Sequence, residues 1–96
     1  MDQASHQFAN NPWLPQVPML LSDATPMRQH DAWIVHTAAG AFALRLHEAS
    51  AWSLLAFSGG HGVNLMGEWD GRALRPLSAV DRSGARWSLD REEVAA

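Results

Sequence analysis

The sequence lacks cysteine and lysine, and it has no long apolar run. Without cysteine among its 96 residues, a disulfide framework and a thiolate zinc site are excluded. No apolar stretch approaches the ~20 residues of a bilayer span. The first residues also lack the basic and apolar regions of a signal peptide. These absences predict a cytoplasmic protein, and the chain length predicts one domain.

The basic residues are all arginines, and they concentrate near the end of the chain. Acidic residues lie between them, and the formal net charge is −3. Domains that bind a nucleic-acid backbone usually have a basic excess. The charge therefore disfavours, without excluding, a nucleic-acid partner. The arginines of the last 25 positions are Arg72, Arg75, Arg82, Arg86 and Arg91.

Composition divides the chain into three stretches within one domain. Residues 1–30 predict a short helix over Met1–Asn11, followed by a proline-rich extended segment. The prolines of that segment forbid a central strand, although residues 17–22 can pair at an edge. Residues 31–90 predict an antiparallel β domain, and residues 91–96 predict a flexible tail.

Short apolar segments separated by turn residues predict the strands of this domain. The segment at residues 52–57 is apolar on both faces and is therefore predicted to be a central strand. An even-numbered loop between the first two strands places Val35 opposite Leu44. The predicted strands are Ala32–Thr37, Ala41–His47, Trp52–Phe57, Val63–Trp69, Arg72–Val80 and Ala85–Leu89.

The Asp70-Gly71 pair predicts a hairpin, because both central residues of a type I′ turn need a positive φ. A two-residue loop places Trp69 opposite Arg72, where the two side chains can form a cation–π pair. The expected architecture is a small antiparallel curled sheet, or a partly open SH3-like or OB-like barrel, of 5–7 strands. Its five tryptophans lie on separate segments, which favours a shared core over a row of exposed stacking platforms.

Candidate catalytic chemistry is sparse. The Ser58-Gly59-Gly60-His61-Gly62 run is similar to a phosphate cradle, but it precedes a predicted strand instead of a helix and has no lysine nearby. A hairpin turn is the expected structure. Ser58 and His61 have no orienting carboxylate in the sequence, and the five histidines show no metal-ligand spacing. We predict no catalytic residue, no cofactor and no metal.

Three segments resemble a known family. Residues 52–60 (WSLLAFSGG) and 67–77 (GEWDGRALRPL) resemble the C-terminal region of bacterial SWIM zinc-finger family proteins, and residues 11–18 (NPWLPQVP) resemble the segment before it. The family motif, Cys-x-Cys followed by Cys-x-His, is absent from this cysteine-free chain. The resemblance therefore implies an accessory β domain, either cut from a longer zinc-finger protein or encoded separately, and it implies no zinc ligand.

The sequence favours two functions that are not enzymatic over a third, an enzyme, which would need a pocket with convergent titratable groups. The first is an accessory domain whose partner is a protein or the remainder of a longer zinc-finger chain. The alternative is an accessory nucleic-acid-binding barrel, in which arginines contact phosphates and tryptophans stack on bases. No membrane partner is expected. The candidate interaction surface consists of Trp69, Arg72, Arg75, Arg82, Arg86 and Trp87.

Overall fold

Six antiparallel strands form a single sheet in the computed structural model, which describes residues 17–90 and Glu93. The sheet order is β3-β2-β1-β4-β5-β6, and the helix α1 lies between β3 and β4 in the chain. The predicted mainly β class is confirmed; the predicted helix over residues 1–11 lies outside the described residues. The elements are β1 (Val17–Gln29), β2 (Ala32–Thr37), β3 (Gly40–Ala43), α1 (Glu48–Ser58), β4 (Val63–Trp69), β5 (Leu74–Val80) and β6 (Arg86–Ser88).

The sheet curls without closing. An isolated parallel bridge joins Leu44, just after β3, to Leu74 at the start of β5, and Arg45 N donates to Leu74 O at 2.8 Å. In the sheet order, β2, β1 and β4 lie between β3 and β5, and this contact joins the end of β3 directly to the start of β5. These five strands, with one bridge at the seam, form a curled antiparallel sheet that is not closed. The helix α1 packs against the inner face of the sheet.

The strand β1 lies between β2 and β4 in the sheet order and contains two prolines. The predicted edge pairing of residues 17–22 agrees with the structure, because β1 changes partners along its length and Val17–Leu21 pairs only with β4 among the described strands. The continuation of this strand to Gln29 was not predicted. Val17–Ala24 pairs with β4 and Thr25–Gln29 pairs with β2. Each half therefore has one hydrogen-bonded neighbour. Proline, which has no backbone N–H, is tolerated where that position faces the unpaired side of the strand. The change occurs beside Asp23, whose φ of 51° bends the strand.

The predicted strand at residues 52–57 is wrong, because this segment lies within α1. A short apolar run does not distinguish a buried strand from a helix by its periodicity. Residues 48–58 contain no β-branched side chain and several strong helix formers. Gly59 ends the helix in the left-handed conformation, and its N–H donates to Leu55 O. The predicted hairpin turn at residues 58–62 is therefore a helix C-cap and its following loop.

The hairpin of β4 and β5 has a four-residue loop instead of the predicted two-residue turn. Trp69 lies opposite Leu74, not Arg72. The Asp70 Oδ1 atom accepts the N–H groups of Arg72 and Ala73, each at 2.8 Å. A side chain that accepts two backbone donors forms an Asx turn, which lengthens the loop. The wider loop makes Glu68 and Arg75 directly opposed neighbours instead of diagonal ones.

The register of β2 and β3 also differs from the prediction. Val35 lies opposite Phe42 and not opposite Leu44, because the two-residue loop is Ala38-Ala39, one position before the predicted Ala39-Gly40. Val35 is fully buried and Phe42 packs against the core. The prediction assigned the side chains of β2 and β3 to the correct faces of the sheet, but each residue of β2 pairs with a residue two positions earlier in β3 than predicted.

The core lies between the inner face of the sheet and α1. Of the tryptophans, Trp33 and Trp87 are buried, whereas Trp52 is 51% exposed. Glu93, in the segment predicted as a flexible tail, is 6% exposed and therefore packs against the domain. The buried cluster comprises Ala24, Val35, Leu54, Val63, Leu65, Leu74, Ala79, Trp87 and Leu89.

Candidate interaction surface

The predicted surface arginines are spread over the molecule. Arg72 lies in the loop before β5, and Arg82 lies in the loop after it. The seven residues of β5 separate these loops, which at ~3.3 Å per residue is more than 20 Å. Arg75 is half-buried on β5 and Arg86 is exposed on β6. The arginines therefore do not form one cluster.

The two tryptophans predicted for this surface contact other residues of the domain. Trp87 is 8% exposed, and its Nε1 donates to Ser53 Oγ at 3.1 Å. Trp69 is half-buried and meets Phe42 edge to face, with ring centroids 5.7 Å apart. A base cannot stack on a ring that packs inside the domain. The structure therefore leaves Trp87 unavailable as a stacking platform.

The loop of β4 and β5 is organised by the Asp70 carboxylate. Besides the two backbone N–H groups, it binds Arg45, whose Nη2 lies 2.6 Å from Asp70 Oδ2. The backbone hydrogen bond from Ala73 is the largest effect that lowers the pKa of Asp70, followed among the lowering effects by the bond from Arg72 and the charge of Arg45. This carboxylate stabilises the loop, and its acceptors are engaged.

A cleft of about 500 Å³ lies between the loop after α1 and the loop after β5. His61 and Arg82 are its exposed basic groups. Its carboxylate, Asp81, accepts Ser83 Oγ at 2.7 Å and the N–H groups of Ser83 and Ala85. The Ser83 hydroxyl is the main cause of the lowered pKa of Asp81. An acid held in its charged form by turn donors is a poor proton acceptor for catalysis.

The same cleft shows no activated nucleophile. Ser58 Oγ donates to the backbone carbonyl of His61 at 3.1 Å, so the hydroxyl is not directed at an imidazole base. Within residues 17–90 and Glu93, no group of three or more His, Asp or Glu side chains is arranged to hold a metal ion. In this cleft, the Ser58 hydroxyl is therefore not paired with a general base.

The exposed face of α1 is unusual for a surface helix. After Glu48 the helix contains no charged residue. Its buried face consists of Ser50, Ala51, Leu54 and Ser58, and its exposed residues are Glu48, Ala49, Trp52, Ser53 and Ala56. Surface helices normally place charged residues toward water. Apart from Glu48, the exposed residues of this helix are as apolar as the buried ones, and an apolar composition on all sides is typical of a covered helix.

An aromatic corner lies at the first half of α1. Trp52 meets the buried Trp33 of β2 edge to face, with centroids 5.0 Å apart and ring planes at 85°. The Arg28 guanidinium lies 5.1 Å from the Trp33 centroid and 6.0 Å from that of Trp52. Its Nη1 also lies 2.6 Å from Glu48 Oε1. We name these four residues the Trp52 corner.

Several elements position this corner. Arg28 and Trp33 are direct partners across β1 and β2, and Glu48 precedes Trp52 by one helical turn, which places both on one helix face. The hydrogen bond from Arg28 is the main cause of the lowered pKa of Glu48, and the indole N–H groups of Trp33 and Trp52 lower it further. Trp33 Nε1 nevertheless completes no hydrogen bond within the described residues.

A second exposed apolar pair lies on the outer face of the sheet. Leu20 and Met66 are direct partners across β1 and β4, and they are 69% and 48% exposed. Polar side chains surround them on this face, such as Ser22 and Asn64. Isolated exposed apolar residues are ordinary on protein surfaces. This pair lacks the aromatic and charged neighbours of the Trp52 corner.

Sequence reasoning missed Arg28, Glu48 and Trp52 as functional candidates. The i, i+4 spacing of Glu48 and Trp52 becomes visible only once residues 48–58 are assigned to a helix. Glycines after the segment and the lack of β-branched residues were the signals for that assignment. The pairing of Arg28 with Trp33 depends on the two-residue turn at His30 and Asp31, which the sequence does not distinguish from a longer one.

The described part of the chain has no helix with the length and apolar content that a bilayer span requires. Comparison with known proteins gives no further assignment: the chain matches no protein-family model, no curated protein and no solved structure. The evidence on function is therefore the geometry described above.

Proposed function

We propose that this chain is a non-enzymatic accessory domain that binds a protein partner through the exposed face of α1. The observation on which this proposal depends is the composition of that face. Trp52 is 51% exposed among small, uncharged neighbours on a helix that has no charge after Glu48. Burying that face against a partner removes apolar surface from water, at about 25 cal/mol per Å².

The residue types of the Trp52 corner also favour a protein interface. Tryptophan and arginine are enriched among the residues that contribute most to binding energy at interfaces. The Arg28 guanidinium and the T-shaped contact with Trp33 hold the Trp52 ring in place. A ring that is ordered before binding loses little side-chain entropy when the partner binds.

The identity of the partner is part of the proposal. The resemblance of residues 52–60 and 67–77 to the C-terminal region of SWIM zinc-finger proteins supports a partner of that type, in a separate chain or in the rest of a longer one. The first of these segments lies within α1 and its C-cap. The absence of cysteine supports a cytoplasmic location for the complex.

Affinity capture with matched surface variants tests the proposal. The immobilised chain and its Trp52→Ala and Met66→Ala variants are exposed to lysate of the source cells. Trp52 and Met66 are about equally exposed, but they lie on opposite sides of the sheet. A protein retained by the parent chain and by Met66→Ala, and lost with Trp52→Ala, is the expected result. Loss with Met66→Ala alone would place the partner on the outer sheet face and overturn the proposal.

The alternative, a nucleic-acid-binding barrel, is supported by one observation. Arg72, Arg75, Arg82 and Arg86 form no ion pair within the described residues, so they are available to phosphates. Titration with single-stranded and duplex oligonucleotides at low salt and near 150 mM tests this alternative. Saturable binding that weakens with salt, and that weakens less steeply in an Arg72→Gln, Arg75→Gln variant, would support it. The absence of binding at low salt would exclude it.

A further inference from the structure

The Trp52 corner holds a guanidinium group of the chain itself. The Arg28 guanidinium lies over two indole rings and 2.6 Å from the Glu48 carboxylate. A cation over an aromatic face is attracted by the ring quadrupole, and a neighbouring carboxylate adds a charged hydrogen bond. The chain therefore binds one of its own guanidinium groups with two rings and one acid.

Part of the Trp52 corner is exposed to solvent. The Trp52 residue is 51% exposed, and the Glu48 side chain is 61% exposed. Arg28 lies farther from the Trp52 centroid than from the Trp33 centroid. A second cation thus has access to the Trp52 ring and to the Glu48 carboxylate from the solvent side.

The charge of the molecule favours a cationic group on the partner. The formal net charge of the chain is −3, and Glu48 is the charged residue of α1. The hydrogen bond from Arg28 lowers the pKa of Glu48, so this carboxylate stays charged at neutral pH. Complementary charges select a partner more than they add affinity.

We infer that the exposed edge formed by Trp52 and Glu48 binds an arginine side chain presented by the protein partner. The arginine stacks on the exposed Trp52 ring and donates to the Glu48 carboxylate, beside Arg28. This inference rests on the proposed function, because it names the chemistry of the partner at the face of α1 where that partner docks.

A titration followed by NMR tests the inference on the whole chain. The probes are N-acetyl-arginine N-methylamide, which has a blocked backbone and one guanidinium, and the citrulline analogue, which has nearly the same shape without the charge. The indole Nε1–H signals report binding residue by residue. We expect the Trp52 signal to shift saturably with arginine in the millimolar range and not with citrulline. The Trp87 signal, from an indole bonded to Ser53 inside the domain, serves as the control and should not move.

Two variants with opposite expected effects sharpen the test. Glu48→Gln removes the acid, and we expect two- to fivefold weaker binding of the arginine probe, about the worth of an exposed ion pair. Arg28→Gln removes the internal competitor and leaves both rings and the acid to the probe, so binding should strengthen at least twofold. Both changes are at the surface, and the dispersed amide spectrum shows that each variant is folded.

Equal shifts with arginine and citrulline, or weaker binding by Arg28→Gln, would overturn the inference. The proposed function fails differently, through retention of the captured protein by Trp52→Ala. If the captured protein is lost with Trp52→Ala but the arginine probe does not shift the Trp52 signal, the proposed function stands. The inference that the partner presents an arginine is then wrong.

Discussion

Two regions of the molecule contain both tryptophan and arginine, and in only one of them does an arginine contact an exposed tryptophan ring. Around β5 and β6, arginines and tryptophans are close in the sequence, but alternation turns Trp87 inward while Arg86 stays exposed. At the Trp52 corner, Arg28 and Trp52 are 24 positions apart in the sequence (52 − 28), and the guanidinium nevertheless lies 6.0 Å from the ring centroid. Adjacency in a strand separates side chains onto opposite faces. Pairing and helix packing bring distant residues together.

The largest expected effect separates the two regions by stability. Trp87→Ala removes a core side chain and its bond to Ser53, and it should lower the free energy of unfolding by about 3–5 kcal/mol. Trp52→Ala removes a half-exposed ring with one T-shaped contact, and it should cost about 1 kcal/mol. Urea unfolding at neutral pH measures both values. Equal losses would mean that Trp52 is a core residue and that the comparison is wrong.

An intermediate effect is expected at the N-terminus of α1. The helix has no side-chain cap of its own at His47. Instead, the Glu93 carboxylate accepts the His47 N–H at 2.7 Å and the Ser50 hydroxyl at 2.5 Å. Glu93→Ala should therefore lower the free energy of unfolding by about 1–2 kcal/mol, as the loss of a cap does.

Glu68 provides the matched control for Glu93. It is a half-buried carboxylate without an ion pair in the described residues, and Glu68→Ala should change stability by less than about 0.5 kcal/mol. The helical circular-dichroism signal should decrease only with Glu93→Ala. If both variants unfold like the parent chain, Glu93 does not anchor the helix that presents Trp52.

The smallest expected effect is a pH dependence at the loop of β4 and β5. Bonds from Ala73 and Arg72 and the charge of Arg45 lower the pKa of Asp70 from its ordinary value of 3.8. Because the folded-state pKa is lowered, the carboxylate stabilises the fold fully above its unfolded-state pKa. This stabilisation is lost as the pH falls through the folded-state pKa. The urea midpoint should therefore decrease below about pH 4. Asp70→Asn should reduce that decrease, and an unchanged acid profile in this variant would exclude the carboxylate as its source.

The sequence predicted the positions of several strands, because local patterns determine them. The bounds of β2 and β4 match the predicted ones to the residue, since β-branched and apolar residues alternate there between clear turn signals. The first half of β1 was predicted as an edge segment, its second half was missed, and α1 was predicted incorrectly. In β1 the acceptable places for proline depend on which neighbour each half has, and in α1 a short apolar run fits both kinds of element.

The candidate surface was largely beyond prediction from the sequence. Its members come from β1, β2 and α1, and their meeting depends on a two-residue turn and on the docking of the helix. The predicted surface followed instead from the spacing of arginines and tryptophans along the chain. A pattern in one dimension does not show that Trp87 packs inside and that Trp52 remains outside.

The most direct test of the central claim is site-specific photo-crosslinking inside the source cells. A benzophenone amino acid replaces Ala56 on the exposed face of α1 or, as the matched control, Ala41 on the exposed side of β3. The account predicts one defined adduct from position 56 that Trp52→Ala removes, and none from position 41. An adduct of the same mass from both positions, or from position 41 alone, would contradict the assignment of α1 as the partner-binding face.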